Sequence, residues 1–350
     1  MKLLSWLVGL TVTTIFVMMG PGKDMPSAVA IGHAQSLASV AIWIAASLGA
    51  GGALVKWLSP STLTGPTGWS HSLVAGLLIW GLGGMLLGMA GLLNGLGLTG
   101  LMGIMAIGWI ARPDIGWPNI SATPVALGAV LLVPLLLISL APPTGTDALY
   151  YHLGIPNQML MDGSLVGGLL HPQGSRPLLL HLPYAALIHS GGWTAPAVFH
   201  LVISSVLLLL VVQMGKAHLQ SQTAGVAAAL LLLGSWTFVS EAGRPGNDII
   251  AALCTLTALD AALRGHVRML ALAAGAALSI KYTVAGPILG VFLVANLSWR
   301  DRILAGAGAF ACLLPWLARN LFDGLHPLFP FTGWPEVSVP MAFQYLEKYG

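Results

Sequence analysis

Charge is what this sequence has least of: 7% of its 350 residues are Asp, Glu, Lys or Arg, where soluble domains carry about a quarter. That scarcity excludes a solvated globular surface. Cysteine is nearly missing too, and Cys254 and Cys312 both lie inside apolar stretches. A disulfide framework and a Cys-x-x-Cys metal site are therefore excluded, and the cysteines carry no information about compartment. There is no basic run, and a formal charge of +3 is too small to imply a nucleic-acid partner. The period-2 alternation of a membrane barrel does not occur, nor does an internal repeat or a low-complexity linker.

What remains is apolar. The chain is 56% hydrophobic with a mean hydropathy of +0.85 and 44 glycines, which implies an all-α polytopic membrane protein whose small residues let helices approach closely. About 17–25 apolar residues cross the ~30 Å hydrocarbon core. Five such stretches precede Asp147, at roughly 3–20, 34–55, 71–93, 97–111 and 122–141. Six more follow near 195–214, 223–240, 248–263, 269–281, 283–298 and 303–320, for about eleven spans. The first could be a signal peptide cleaved at Ala28-Val29-Ala30, but its length favours an uncleaved span.

Orientation is read from Lys and Arg in short loops, which are enriched on the cytoplasmic side. With the N-terminus inside, Lys2, Lys56, Arg112, Lys216, Arg264, Arg268, Arg300 and Arg302 fall together in the cytoplasm. The same register puts Asp147, Arg176, Glu241, Arg244, Asp248, Lys281, Arg319 and Asp323 on the extracytoplasmic face, here taken as the outer side of a bacterial plasma (inner) membrane. Charges of both signs at helix ends are the pattern of a site rather than of a topology signal.

Between 148 and 194 the chain does not read as simple spans. Ala148 to Met161 is expected as an interfacial helix ended by Asp162-Gly163, and Leu178 to Ile188 as a second surface helix after the polar turn His171-Pro172-Gln173-Gly174-Ser175-Arg176-Pro177. Gly84-x-x-x-Gly88 reads as a helix-packing face. Gly95-Leu96-Gly97-Leu98-Thr99-Gly100 matches the dinucleotide fingerprint but has no βαβ context.

Asp147, in Thr144-Gly145-Thr146-Asp147-Ala148-Leu149-Tyr150-Tyr151-His152-Leu153, follows an apolar stretch directly. Two readings compete for it: a helix N-cap and a catalytic base. The other ionisable groups of the same face, Glu241, Arg244, Asp248, Lys281 and Arg319, favour the second, since such groups near the membrane are usually functional or paired. Lys281 and Arg319 could alternatively snorkel to the interface. A phosphate-bearing ligand would account for the cations, because Arg offers a bidentate fork to phosphate oxygens and Lys a point charge. His152, His171 and Arg176 belong to the loop expected to fold over such a ligand, whereas His200, inside a span, reads as packed and hydrogen-bonded.

The segment Asp147-Ala148-Leu149-Tyr150-Tyr151-His152-Leu153 resembles the first-loop motif of bacterial polytopic glycosyltransferases of the GT-C fold, the protein-mannosyltransferase-like (family 39) group. Further matches follow in order: Glu241-Ala242-Gly243 with Asp248, Ser279-Ile280-Lys281-Tyr282-Thr283, and Leu314-Pro315-Trp316-Leu317-Ala318-Arg319-Asn320 with His326-Pro327-Leu328-Phe329-Pro330. The resemblance covers roughly 122–335, a core whose first loop spans 142–194. Residues 1–121 are then an N-terminal extension of about four spans, and 336–350 an extracytoplasmic segment. It implies a polyprenyl-phosphate-sugar donor, an unidentified glycan, lipid or protein acceptor, Asp147 as general base, and Lys281, Arg244 and Arg319 as candidates for the lipid phosphate. His152, Glu241 and Asp248 match motif positions without individually assigned roles, and with Tyr282 and Asn320 they are expected among the substrate- and phosphate-binding residues. No cofactor is implied, and a divalent metal at the phosphate is left open. Because the group continues with further helices, a chain stopping at Tyr349-Gly350 could be a fragment.

One base suffices for the reaction so implied, because a leaving phosphate is a weak base that needs no acid partner, whereas a hydrolase more often carries two flanking carboxylates. The rival readings are a transporter of lipid-linked sugar or small solute, which would place charged or broken helices near the midplane, and a non-catalytic membrane scaffold.

Overall fold

In lipid, a backbone satisfies its own N–H and C=O groups within a helix or a closed barrel, and all regular structure described here is helical, with no strand among the described residues. The computed structural model describes residues 27–111, 113–116, 122–165 and 172–329. In chain order the helices are α1 (Ser27–Leu58), α2 (Pro60–Leu63), α3 (Gly68–Met89), α4 (Gly95–Ile107) and α5 (Ala122–Leu140). A π-helical turn, Ala148–Leu153, runs into α6 (Gly154–Asp162), and α7 (His181–Gly191), α8 (Ala195–His218), α9 (Gln222–Leu233) and α10 (Trp236–Ala242) follow. The chain continues with α11 (Asp248–Leu263), α12 (Val267–Leu278), α13 (Ala285–Val294) and α14 (Trp299–Phe322).

Several boundaries are written in the local sequence. The side chains of Asn94, Ser221, Ser235 and Ser298 each accept a hydrogen bond from the backbone N–H three residues on, capping α4, α9, α10 and α14. Gly163 ends α6 in the left-handed conformation, at φ +66°, as the Asp162-Gly163 pair predicts.

Packing depends on small residues. A Cβ on Gly51 of α1 would run into backbone atoms of Ser72 and Gly76, and one on Gly76 of α3 would strike Ser47, so the two helices cross at backbone contact. Trp43 stacks on Trp80 with ring centroids 5.8 Å apart and meets Phe199 edge-on at 4.6 Å, joining α1, α3 and α8 through fully buried rings. Gly275 lies against Cys312, seating α12 on α14.

Among the described residues four helices are long and apolar enough to cross a membrane, Val29–Leu58, Gly68–Met89, Ala195–His218 and Trp299–Phe322. There are five if α9 and α10, bent by 76° at their junction, count as one broken span. Of the remaining apolar stretches of the eleven-span reading, two form α5 and α11 with 19 and 16 residues, and the others fold into shorter pieces: α4, α12 and α13 have 13, 12 and 10 residues. At 1.5 Å per residue these reach about 15–20 Å. The first expected span and the segment 336–350 lie outside the described residues.

The expected surface helix 178–188 is a correction. It forms as α7, but Leu178, Leu179, Leu182, Tyr184, Ala185 and Leu187 are fully buried. The reason is the glycine face of α3: a Cβ on Gly81 or Gly84 would meet Leu179 or Leu182, so the groove that reads as a helix-packing face is filled by this short segment.

The charges sort to two ends of the bundle. At one end Lys56 donates to the Ala111 carbonyl, Arg268 to Leu58 and Arg302 to Ala295, while Arg264 pairs with Asp260. The other end carries the residues described next.

Candidate functional site

The π-helical turn that starts the first loop packs Tyr151 and His152 inward, leaving them 8% and 7% exposed. Their rings are 4.3 Å apart by centroid, and His181 of α7 completes the cluster, 4.6 Å from Tyr151 and stacked on His152 at 5.6 Å. Burial dominates the titration of both. The His152 imidazole is pushed down to about 3, helped by nearby His200 and Lys281 and opposed by Asp248. The Tyr151 phenol is pushed up to about 12 against the pull of Arg176 and a hydrogen bond with Asn247. Both are therefore neutral near pH 7.

Around this neutral floor stands a ring of charge. Asp147 is exposed at the N-cap position but makes no side-chain cap hydrogen bond, so the capping role is not realised. Its carboxylate lies within electrostatic reach of both Tyr151 and Glu241. Glu241, at the end of α10, is also within reach of Asp248, Arg244 and Lys281. It folds back so that a Cβ on Gly246 would stand 3.1 Å from its Oε2 and 3.6 Å from the His200 ring. Asp248 heads α11, and its Oδ1 accepts from Lys281 Nζ at 2.6 Å, the side chains being 58% and 31% exposed. Arg244 is exposed between them. Backbone ties hold this geometry: the Leu179 N–H donates to the Ser279 carbonyl and the Lys281 N–H to that of Ala277.

Asp147, His152, Glu241, Arg244, Asp248 and Lys281 thus share one end of the bundle, with Arg176 within reach of Tyr151. Arg319 and Asn320 are placed differently. Arg319 is 4% exposed, and its Nη2 donates to the Arg176 carbonyl at 3.3 Å and to Asn320 Oδ1 at 3.0 Å. Asn320 is fully buried and donates to the Pro327 carbonyl at 3.0 Å, bracing the turn after α14. Tyr282 is half-buried within reach of Arg319. His171 lies outside the described residues. His200 is buried and hydrogen-bonds through Nδ1 to the Glu241 carbonyl at 2.9 Å, as its place within a span predicts.

Sequence reasoning missed Tyr151, Asn247, His181 and Tyr184 as parts of this site. Tyr151 lies inside the Asp147 motif and Asn247 just before Asp248, whereas α7 gives no signal because its face was assigned to the surface. It also missed Asp260 at the opposite end, fully buried between Thr67, His218 and Arg264.

Exposed acids beside cations, over a neutral buried floor, can take a proton from a substrate hydroxyl and hold an anionic group nearby. Among the described residues no three His, Cys, Asp or Glu side chains converge on a metal position. The class of protein so defined is an all-helical apolar bundle with a membrane-type composition and a titratable site at one end. Comparison with protein-family models, curated proteins and solved structures returns no match.

Proposed function

We propose that the protein is a membrane glycosyltransferase of the GT-C type that transfers a sugar from a polyprenyl-phosphate donor to an acceptor hydroxyl on the extracytoplasmic face. The observation that carries the reading is the convergence of Asp147, Glu241, Arg244, Asp248 and Lys281, drawn from three separate stretches of sequence, at one end of an apolar bundle. Asp147 is the base because its carboxylate is exposed and free of a cap bond, whereas Asp248 is engaged by Lys281.

Asp147 takes the proton of the acceptor hydroxyl as the oxygen attacks the anomeric carbon. The bond from that carbon to the phosphate oxygen breaks, its electron pair leaves with the polyprenyl phosphate, and the single displacement inverts the configuration. A positioned carboxylate contributes about 10²–10⁴-fold. Arg176, Arg244 and Lys281 supply the positive charge that offsets the departing phosphate.

Purified protein is offered a radiolabelled polyprenyl-phosphate sugar with a panel of acceptors, and wild type is compared with Asp147→Asn. Transfer by wild type with a loss of about 10²-fold or more in the variant is expected. Equal transfer by both removes Asp147 as base, and no transfer by folded wild type favours the transporter or scaffold. Cysteines introduced beside Arg244 and Lys281 test the side: labelling from the cytoplasm alone overturns the extracytoplasmic placement.

A further inference from the structure

A cavity of about 380 Å³ opens between the C-terminal ends of α3 and α14. Met85, Gly88 and Met89 line it from α3, Ser164 and Leu165 from the segment after α6, and Pro315, Ala318, Arg319, Phe322 and Asp323 from α14 and its cap. None of Asp147, Glu241, Arg244, Asp248 or Lys281 belongs to this wall. The gap exists because α3 and α14 both pack on α12 rather than chiefly on each other. Its rim is set by Gly163, whose carbonyl accepts from the Leu93 N–H at 2.9 Å and so holds Ser164 and Leu165 beside Gly88.

Arg319 gives the cavity its chemistry. Its side chain is 4% exposed, its Cζ lies 5.8 Å from the Trp316 ring centroid, and its Nη2 is used by Arg176 and Asn320. Among the described residues Nε and Nη1, both buried, have no hydrogen-bond partner. Leaving these guanidinium N–H groups desolvated and unmet is costly, so the arrangement calls for a further acceptor, and an anionic phosphate oxygen suits a charged donor.

A simple anion does not fit the remainder of the wall. Asp323 contributes a carboxylate, and the cavity adjoins the carbonyl ends of two helices, where partial negative charge favours cations. The site therefore offers one positive and one negative pole. Its mouth is apolar, with Met89 60% and Phe322 83% exposed. It also lies at the ends of two membrane-length helices, the depth at which head groups meet acyl chains.

We propose that this cavity binds a zwitterionic, ammonium-bearing phospholipid of the phosphatidylethanolamine type. The phosphate meets the Arg319 guanidinium, the ammonium meets Asp323 and the helix-end carbonyls, and the acyl chains leave past Met89 and Phe322. The lipid is a bound partner of the fold, not a reactant, and the inference is independent of Asp147 chemistry.

The test uses the full chain purified in neutral detergent and delipidated, titrated with short-chain phosphatidylethanolamine, phosphatidylglycerol, diacylglycerol, a prenyl monophosphate and soluble phosphoethanolamine. Bound lipid is counted by native mass spectrometry. Phosphatidylethanolamine is expected to bind at least about tenfold tighter than the others, Arg319→Gln to weaken it roughly 10- to 100-fold, and Asp323→Asn to erase its advantage over phosphatidylglycerol. Should Arg319→Gln fail to fold, Ala318→Leu fills the cavity with Arg319 and Asp323 in place and is expected to abolish the same binding. Equal binding by Ala318→Leu, or by a folded Arg319→Gln, overturns the site. Phosphatidylglycerol as tight as phosphatidylethanolamine overturns the zwitterion, soluble phosphoethanolamine as tight as the lipid overturns the chain contacts, and preference for the prenyl phosphate overturns the phospholipid assignment. Asp147→Asn retains the binding, so its failure and that of the transferase reading are told apart.

Discussion

Tyr184 and Gly246 hold one another in both directions: the Tyr184 hydroxyl donates to the Gly246 carbonyl at 2.7 Å, and the Gly246 N–H donates back to the same oxygen at 3.3 Å. Tyr184 is fully buried on α7, and Gly246 lies in the turn between Glu241 and Asp248. One phenol therefore fixes the loop that carries two acids and Arg244. Tyr184→Phe removes that oxygen and strands a buried carbonyl and N–H, which costs about 1–3 kcal/mol. Thermal unfolding in detergent is expected to shift down, and the proposed transfer activity to fall further than unfolding alone explains. Unchanged values of both would show that the loop is held by other contacts.

The site was legible in the sequence to the extent that its residues announce themselves in an apolar chain. Asp147, Glu241, Arg244, Asp248 and Lys281 are ionisable groups at helix ends, and their grouping on one face follows from charge alternation alone. The Tyr184 bond was not legible, because nothing in a tyrosine within an apolar stretch tells that it turns inward. That depends on Gly81 and Gly84 of α3 leaving a groove wide enough for α7, a pairing set by tertiary packing. Helix lengths failed for a similar reason. Hydropathy windows see an apolar run through Gly234-Ser235, where the chain bends by 76° because Ser235 caps a new helix.

Asp260 gives the second stability prediction. It was passed over as one acid within an apolar stretch, yet it accepts from Thr67 Oγ1 at 2.6 Å and from Arg264 Nε at 2.9 and 3.0 Å, and shares a hydrogen bond with His218 Nε2 at 2.8 Å. It ties α3, α8 and α11 together at the end opposite the site. Replacing it by Asn leaves Arg264 and His218 without their charge partner, and removing one member of a buried pair costs about 3–5 kcal/mol. Arg264 and His218 retain 24% and 22% exposure and can rehydrate, so the lower figure is expected. A double-mutant cycle of Asp260→Asn with His218→Gln measures the coupling. Additive losses would mean that the two groups do not act together.

His152 yields a dependence on pH whose sign follows from burial. Its folded pKa is pushed down to about 3 from an ordinary value near 6.5, so the unfolded chain binds a proton that the folded chain refuses. Stability from this residue is complete above pH 6.5 and is lost as pH falls from there toward 3, by up to about 1.4 kcal/mol per pH unit. The groups facing it are Tyr151, His181, His200, Asp248 and Lys281, so other titrations overlap in the same range. The difference between wild type and His152→Gln isolates its part: chemical unfolding at pH 7.5 and at pH 5 is expected to show a smaller loss on acidification in the variant. An equal loss in both would mean that the imidazole finds a proton partner when folded, and would remove it from the neutral floor on which the acid cluster stands.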